Sequence, residues 1–303
     1  LKNSYKYFLE SLKENNIDKF HFFLSNYGCW KEYHGIANNT LIRNLSRSFI
    51  GRRYLENVTF RKNLKNWKWL NKNNVDLSVL EFFKFGNQSG AYIDNKFIIA
   101  SAFFNEFTAS ILKDLLNQYQ KPRIAELGGG DGNFAFYLLN KFKQFSYFDF
   151  DLPEVISIIS YNYLLNWPDK KFLLYGEEDF NRSNINKYDF ILMPSWEIEK
   201  IENNSIDIFL NKNSLGEMTR ENCENFIYHI CRSSEYFFHM NHDNIRNIYS
   251  DEEQGLLASE YPVSKDDFDL LFRYPEIGHM LHGGVIDYYM DIFLHLYKKR
   301  NNK

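Results

Sequence analysis

Residues 124–133 read Ile-Ala-Glu-Leu-Gly-Gly-Gly-Asp-Gly-Asn, an acid inside a strand-like run that breaks into glycines. Glu126 with Gly128, Gly130 and Gly132 gives the spacing E-x-G-x-G-x-G. Glycine at such points admits positive φ and lets a ligand lie against bare backbone. In open parallel sheets this end of a strand is also where ligands bind. A second acid follows about 20 residues on, where Phe-Asp-Phe-Asp-Leu-Pro supplies Asp149 and Asp151. A carboxylate there can accept both hydroxyls of a ribose. Both acids face one side of a strand, so Asp151, the later one, is expected to reach past the edge. The loop departs from the dinucleotide fingerprint G-x-G-x-x-G: Gly132 comes one position early and Asn133 stands where the third glycine belongs. The bland alternative is an ordinary βαβ turn beside a solvated acid.

The elements that must position these residues are legible from residue 122 onward. "RIAEL" and "FSYFDF" read as strands, "NFAFYLLNKF" and "PEVISIISYNYLL" as helices, the latter with Pro153 in its first turn. "YDFILMP" (188–194), "SIDIFLN" (205–211) and "EYFFHMNHD" (235–243) are further strands, and "KKFLLYG" is a weaker candidate. A helix over "ENCENFIYHICRSS" puts Phe226, Ile227, Ile230 and Cys231 on one face, with Thr219 available as its cap. Strands alternating with helices predict an α/β fold, a Rossmann-like, mostly parallel sheet with helices on both faces. Before it, residues 1–110 read as a mainly helical region expected to shape or cover a substrate pocket, with residues 111–303 as the sheet domain. Phe104, Phe107, Ile111 and Leu115 carry helical spacing, and residues 84–101 suggest a loop and a short hairpin. The tail predicts a loop-rich insert and a last element, strand or helix, that periodicity does not decide.

Composition narrows the function classes. Net charge is −3 over 303 residues, which argues against a bulk nucleic-acid binder. Cys29, Cys223 and Cys231 show no C-x-x-C and fit reduced, packed thiols. No apolar run approaches membrane-spanning length, so a cytoplasmic protein is expected. Residues 41–72 hold Arg43, Arg47, Arg52, Arg53, Arg61, Lys62, Lys65, Lys68 and Lys72 against the single acid Glu56, interleaved with Phe49, Tyr54, Phe60, Trp67 and Trp69. That mixture suits a phosphorylated or anionic glycan partner, and equally a solvated helix face.

The stretch "ELGGGDGNFAF…FDFDLPEVI" resembles motif I and the following acidic strand of class I S-adenosylmethionine-dependent methyltransferases. "FILMPSWEIEKIENNSIDIFLNKNSLGEM" narrows this: it is similar to the bacterial sugar O-methyltransferase family, with a strand ending D-x-x-x-N and then S-x-x-E-M. The likeness covers roughly residues 80–245. In "FGNQSG", Gln88 replaces the proline of that family's Gly-Asn-Pro turn, so no role carries over to it. The resemblance implies S-adenosylmethionine as cofactor, S-adenosylhomocysteine as product, and a sugar, nucleotide-sugar or glycan acceptor. It further implies that Gly128, Gly130 and Gly132 line the cofactor, that Glu126 serves its amino group and that Asp151 holds its ribose. Ser195 and Trp196, after "YDFILMP", would flank adenine, with Glu177 as the competing choice, and Asn211 would complete the set.

Transfer to a hydroxyl needs a proton acceptor. That places the chemistry past the ends of "IDIFLN" and "YFFHMN", where Asn211, Ser214 and Glu217, and Asn241, His242 and Asp243, follow. His242 is the expected base, since imidazole titrates near working pH. Asp243 would orient it or bind a cation, and Glu217 is the second candidate base or a helix cap. His279 and His282 have metal-like spacing without an accompanying acid cluster, so a divalent metal is not favoured. His239 reads as a packed strand residue. Two rival functions use the same fold: a nicotinamide-dependent oxidoreductase, and a binding module that keeps the cofactor but not the base.

Overall fold

Near-continuous burial is what marks the central strands. In β3 (Arg123–Leu127), β4 (Ser146–Asp151), β6 (Phe190–Pro194), β7 (Ile206–Lys212) and β8 (Ser234–His242) almost every residue is buried. Strands of that kind belong inside a parallel sheet covered on both faces. The computed structural model describes residues 5–29, 60–72, 76–88, 90–99, 101–181, 185–248, 254–277 and 291–300. Arg43, Arg47, Arg52, Arg53, His279 and His282 lie outside them.

Among the described residues the main sheet has eight strands in the order β5-β6-β4-β3-β7-β8-β10-β9, with β5 at Phe172–Leu174, β9 at Phe268–Pro275 and β10 at Ile292–Lys299. β10 runs antiparallel to both β8 and β9, and the remaining pairs are parallel. The expected Rossmann-like sheet is thus present. The tail forms strands, and β9 escapes a reading of the sequence because it is an edge strand: one of its eight positions is buried, three are half-buried and four are exposed. A separate hairpin joins β1 (Gly90–Ile93) to β2 (Lys96–Ile99), as its alternation suggested. From β3 the chain builds outward through β4 to β6 and β5, then returns to lay β7 on the other side of β3. That reversal opens a crevice at the C-terminal ends of β3, β4 and β7.

Side chains of one parity along the strands (Ile124, Tyr147, Ile208, Leu210, Phe238, Met240, Leu294) pack under α4 (Ala102–Leu116), α5 (Asn133–Leu139) and α6 (Pro153–Asn166). The other parity (Ala125, Leu127, Phe148, Phe209, Phe237) packs under α7 (Arg220–Ser233) through Cys223, Ile227 and Ile230. Thr219 caps α7 through its Oγ1, 3.4 Å from the Asn222 amide. Cys223 and Cys231 are free thiols, and burial pushes each up to about 12.

N-terminally, α1 (Lys6–Lys13) and α2 (Ile17–Asn26) form a pair seated on α6 through Tyr5, Phe8, Phe23, Tyr27, Val155 and Ile158. α3 (Arg61–Leu70) is tied to α4 by Trp67, whose Nε1 donates to Glu106 Oε2 at 2.6 Å. Glu106 also receives Ser110 Oγ at 2.9 Å and Lys141 Nζ at 2.7 Å, so a buried acid has its partners. The division expected near residue 110 falls inside α4, which runs unbroken from 102 to 116.

Candidate active site

The glycine loop joins β3 to α5. Gly128, Gly130 and Gly132 have φ of 76°, 63° and 79°, the left-handed region that favours glycine. Neighbouring side chains add a second requirement that the sequence did not reveal. A β-carbon at Gly128 would overlap Ser214, one at Gly129 would overlap the Asp149 carboxylate, and one at Gly132 would overlap the Tyr163 hydroxyl. The loop is therefore moulded from behind by its own protein as well as left bare in front. Gly128 donates to Phe150 O at 2.8 Å, and Tyr163 donates to Gly132 O at 2.8 Å.

The acids of β4 hold this loop. Asp151 Oδ2 accepts the Gly130 amide at 2.9 Å while its Oδ1 accepts Leu152 N–H at 2.6 Å. Two of about four lone-pair positions on an ionised carboxylate remain for a ligand. Asp149 is fully buried behind the loop, with Oδ1 3.3 Å from the Gly129 amide and Oδ2 without a hydrogen-bond partner. Glu126, also buried, accepts from Tyr147 Oη at 2.7 Å.

Crowding so many acids shifts their titration. Burial, with smaller contributions from Asp151 and Asp131, raises Glu126 to about 7 against the help of Tyr147 and Lys212. Burial also raises Asp131, inside the loop, to about 7 although Asn133 hydrogen-bonds it. Asp151 rises to about 6 by burial, opposed by the Gly130 and Leu152 amides. Asp149 is raised well above its ordinary range, by burial first and then by Asp151 and Glu126.

Lys212, the last residue of β7, is the cation that answers them, and sequence reading missed it because a lysine closing a strand usually reads as solvated. Its Nζ donates to Asn105 Oδ1 of α4 at 2.6 Å and stands 5.6 Å from the centre of the Phe134 ring. Burial lowers its pKa, and Glu276, Glu126 and Asp131 partly restore it.

Where the sequence resemblance expects the adenine contacts, β6 is the strand beside β4, with Asp151 in register with Pro194. Ser195 and Trp196 therefore begin next to Asp151, whereas β5 lies one strand farther out. Glu177, the competing choice, accepts Leu174 N–H at 2.8 Å and closes the turn after β5. Trp196 is 52% exposed and meets the exposed Tyr175 edge to face at 6.0 Å. Asn211 is a strut of the floor: its Nδ2 donates to Leu127 O at 2.8 Å and to Ser214 Oγ, and its Oδ1 accepts from Asn241 at 2.8 Å. Both of its amide hydrogens are engaged within the protein.

At the end of β8, His242 Nδ1 is hydrogen-bonded to Asp291 Oδ2. Asp291 Oδ1 also accepts the amides of Asn244 and Ile245, at 2.9 and 2.8 Å. Burial alone would raise Asp291, but His242 and those two amides hold it below its ordinary range. An ionised carboxylate only accepts, so Nδ1 carries a proton, and in the neutral ring that tautomer leaves Nε2 as the acceptor. The expectation that Asp243 orients His242 is corrected here. Asp243 instead pairs with Arg273, whose Nε is 2.9 Å away, and accepts Ser259 N–H at 2.7 Å. Asp243 lies one residue beyond β8, in the bend that follows it. Glu217 lies in the turn Leu215–Glu217, close enough to Asp151 to raise that group's pKa, and the cap of α7 is Thr219 rather than Glu217. His239 is fully buried and stacked on His295 at 4.6 Å, as a packed strand residue would be.

Among the described residues no group of three or more His, Cys, Asp or Glu side chains is arranged to hold a metal ion, and no helix is long and apolar enough to cross a membrane. No protein-family model matches the chain, and no curated protein matches it. Solved structures with a similar path include the mitomycin 7-O-methyltransferase MmcR, at 13% identity over 87% of this chain and 76% of that one, TM-score 0.40. Another is the magnesium protoporphyrin IX methyltransferase ChlM of Synechocystis PCC 6803 with bound SAM, at 9% identity over 82% and 95%, TM-score 0.41. A third is the CurJ carbon methyltransferase, at 12% identity over 85% and 71%, TM-score 0.47. At these scores the likeness is one of general chain path.

Proposed function

We propose that the protein is an S-adenosylmethionine-dependent O-methyltransferase acting on a sugar hydroxyl, as a free, nucleotide-linked or glycan-borne residue. One observation carries the choice of cofactor: the glycine loop is ringed by Glu126, Asp131, Asp149 and Asp151, with Lys212 as the cation facing them. A nicotinamide dinucleotide would set a doubly negative pyrophosphate against such a loop, which like-charge repulsion disfavours. S-adenosylmethionine brings a sulfonium and an ammonium, which the same acids favour. The residues present fit it. Asp151 keeps lone pairs for a ribose, Glu126 and Asp131 suit the ammonium, and Trp196 with Tyr175 offers aromatic faces beside Asp151's strand. Lys212 suits the carboxylate.

The bound cofactor supplies an activated methyl group, so the protein must position the acceptor and take its proton. His242 Nε2 is the proton acceptor in this reading. Asp291 fixes the ring and its tautomer through Nδ1 and stabilises the imidazolium once the proton has moved. That pairing is what favours an enzyme over a binding module. The sugar acceptor rests on the sequence resemblance.

Calorimetry with S-adenosylhomocysteine and with NADH tests the cofactor, and transfer of labelled methyl onto a panel of nucleotide sugars and glycans tests the acceptor. Uptake of NADH without uptake of S-adenosylhomocysteine would overturn the reading. Methyl transfer to an amine or a carbon but to no hydroxyl would retain the cofactor and reject the O-specificity.

A further inference from the structure

The glycine loop is gripped on its far side by the N-terminal helix pair. Tyr27, fully buried just after α2, accepts two hydrogen bonds at its hydroxyl, from Gln88 Nε2 and from Asn162 Nδ2, the latter at 2.7 Å. Asn162 Nδ2 also donates to the backbone oxygen of Asp131, inside the loop, at 3.2 Å. The next residue, Tyr163, donates to Gly132 O. Helix α6 thus carries the loop on Asn162 and Tyr163, and carries the α1–α2 pair on Val155 and Ile158. The seat is shaped for Tyr27. Gly86 has φ of 76°, and a β-carbon there would overlap the Tyr27 ring. A β-carbon on Gly28 would lie 2.6 Å from Gln88 Cα. The Phe-Gly-Asn-Gln turn singled out in the sequence is therefore a socket, with Gln88 making a contact that proline has no side-chain donor to make.

We infer that Tyr27, held by Gln88 and Asn162, is a positioning residue for the cofactor loop, so that cofactor binding and docking of the α1–α2 pair are thermodynamically coupled. The inference rests on the cofactor reading above. Coupling of this kind is reciprocal: whatever factor the docked pair adds to cofactor affinity, the cofactor adds to the docking equilibrium.

The test uses the full chain and S-adenosylhomocysteine. Hydrogen exchange of residues 5–29 in the wild type is measured with and without saturating ligand, and slower exchange is expected with it. Tyr27→Phe removes the acceptor shared by the buried Asn162 and the half-buried Gln88, leaving Asn162 only its bond to Asp131 O, and is expected to weaken ligand binding about tenfold. It should also abolish the ligand's effect on exchange in 5–29, a readout that general destabilisation would not remove selectively. Gln88→Ala, outside the loop, should move both readouts in the same direction and less far. Wild-type exchange that is indifferent to bound ligand overturns the inference without any variant having to fold, as does a Tyr27→Phe protein that binds with unchanged affinity. If the wild type takes up no S-adenosylhomocysteine, it is the cofactor assignment that fails.

Discussion

Binding of the methyl donor should release protons, and its affinity should climb steeply between pH 6 and pH 8. The reasoning starts from Glu126 and Asp131, both raised to about 7 in the unliganded protein chiefly by burial. A carboxyl with that midpoint is about nine-tenths protonated at pH 6 and about nine-tenths ionised at pH 8, and only the ionised form attracts an ammonium. If one of the two must ionise, the dissociation constant falls about tenfold over that interval; if both must, about a hundredfold. The rise ends near pH 8, where the ligand's own amino group begins to lose its proton, as α-amino groups do at about 7.7–8.0. Calorimetry with S-adenosylhomocysteine, repeated at each pH in phosphate and in Tris, reads affinity and released protons together. Near pH 6 between one and two protons should leave per ligand bound, and Glu126→Gln should remove about one of them. A dissociation constant constant within twofold from pH 6 to pH 8, with heats independent of buffer, would refute the reasoning. The same groups set the sign of a stability effect. Their folded pKa values lie above the unfolded ones, so between about pH 4 and pH 7 the folded chain holds more protons than the unfolded one. Their contribution therefore favours the unliganded fold below that window and is lost as pH rises through it, and saturating ligand should oppose the loss.

Three further outcomes follow from the geometry. His242→Ala should lower methyl-transfer turnover by about 10²–10⁴-fold with S-adenosylhomocysteine affinity unchanged, and Asp291→Asn should lower it too while altering its pH profile, both read by labelled-methyl kinetics. Asp151→Ala removes a carboxylate that both braces Gly130 and is assigned to the ribose, so ligand affinity should fall about tenfold or more by calorimetry; an unchanged affinity would remove Asp151 from the site. Glu106→Ala strands Trp67, Ser110 and Lys141 at once, and should lower unfolding free energy by about 3 kcal/mol in denaturant titration.

Much of the sheet could be read in advance because its information is local. β3, β4, β6, β7 and β8 are short runs rich in apolar and aromatic residues, and Thr219 announces α7 by its chemistry. The edge strand β9 escaped because an edge needs few buried residues, and its polar stretches read as loop. In the site, Glu126, Asp151 and the glycines stood in a motif with fixed spacing. Asp291 did not: it meets His242 across 49 residues of sequence, while Asp243, adjacent in the chain, is held by Arg273. Tyr27 and Asn162 are 135 residues apart, and nothing local to either marks the contact. Lys212 was legible as a residue but not as a half-buried one, since its partial withdrawal from water depends on Asn105 of α4 reaching the end of β7.

The crowding behind the glycine loop has a consequence for anyone wishing to re-engineer the donor pocket. Single replacements at Gly128, Gly129 or Gly132 collide with Ser214, Asp149 or Tyr163 before they alter what a ligand meets. Tolerance would have to be built first in the second partner, by trimming Ser214 or Tyr163, and at Gly128 and Gly132 the positive φ would still resist. If the proposed donor site holds, enlarged cofactor analogues would be better accommodated from the open side, at Trp196 and Tyr175, where the surface is exposed and no such double constraint operates.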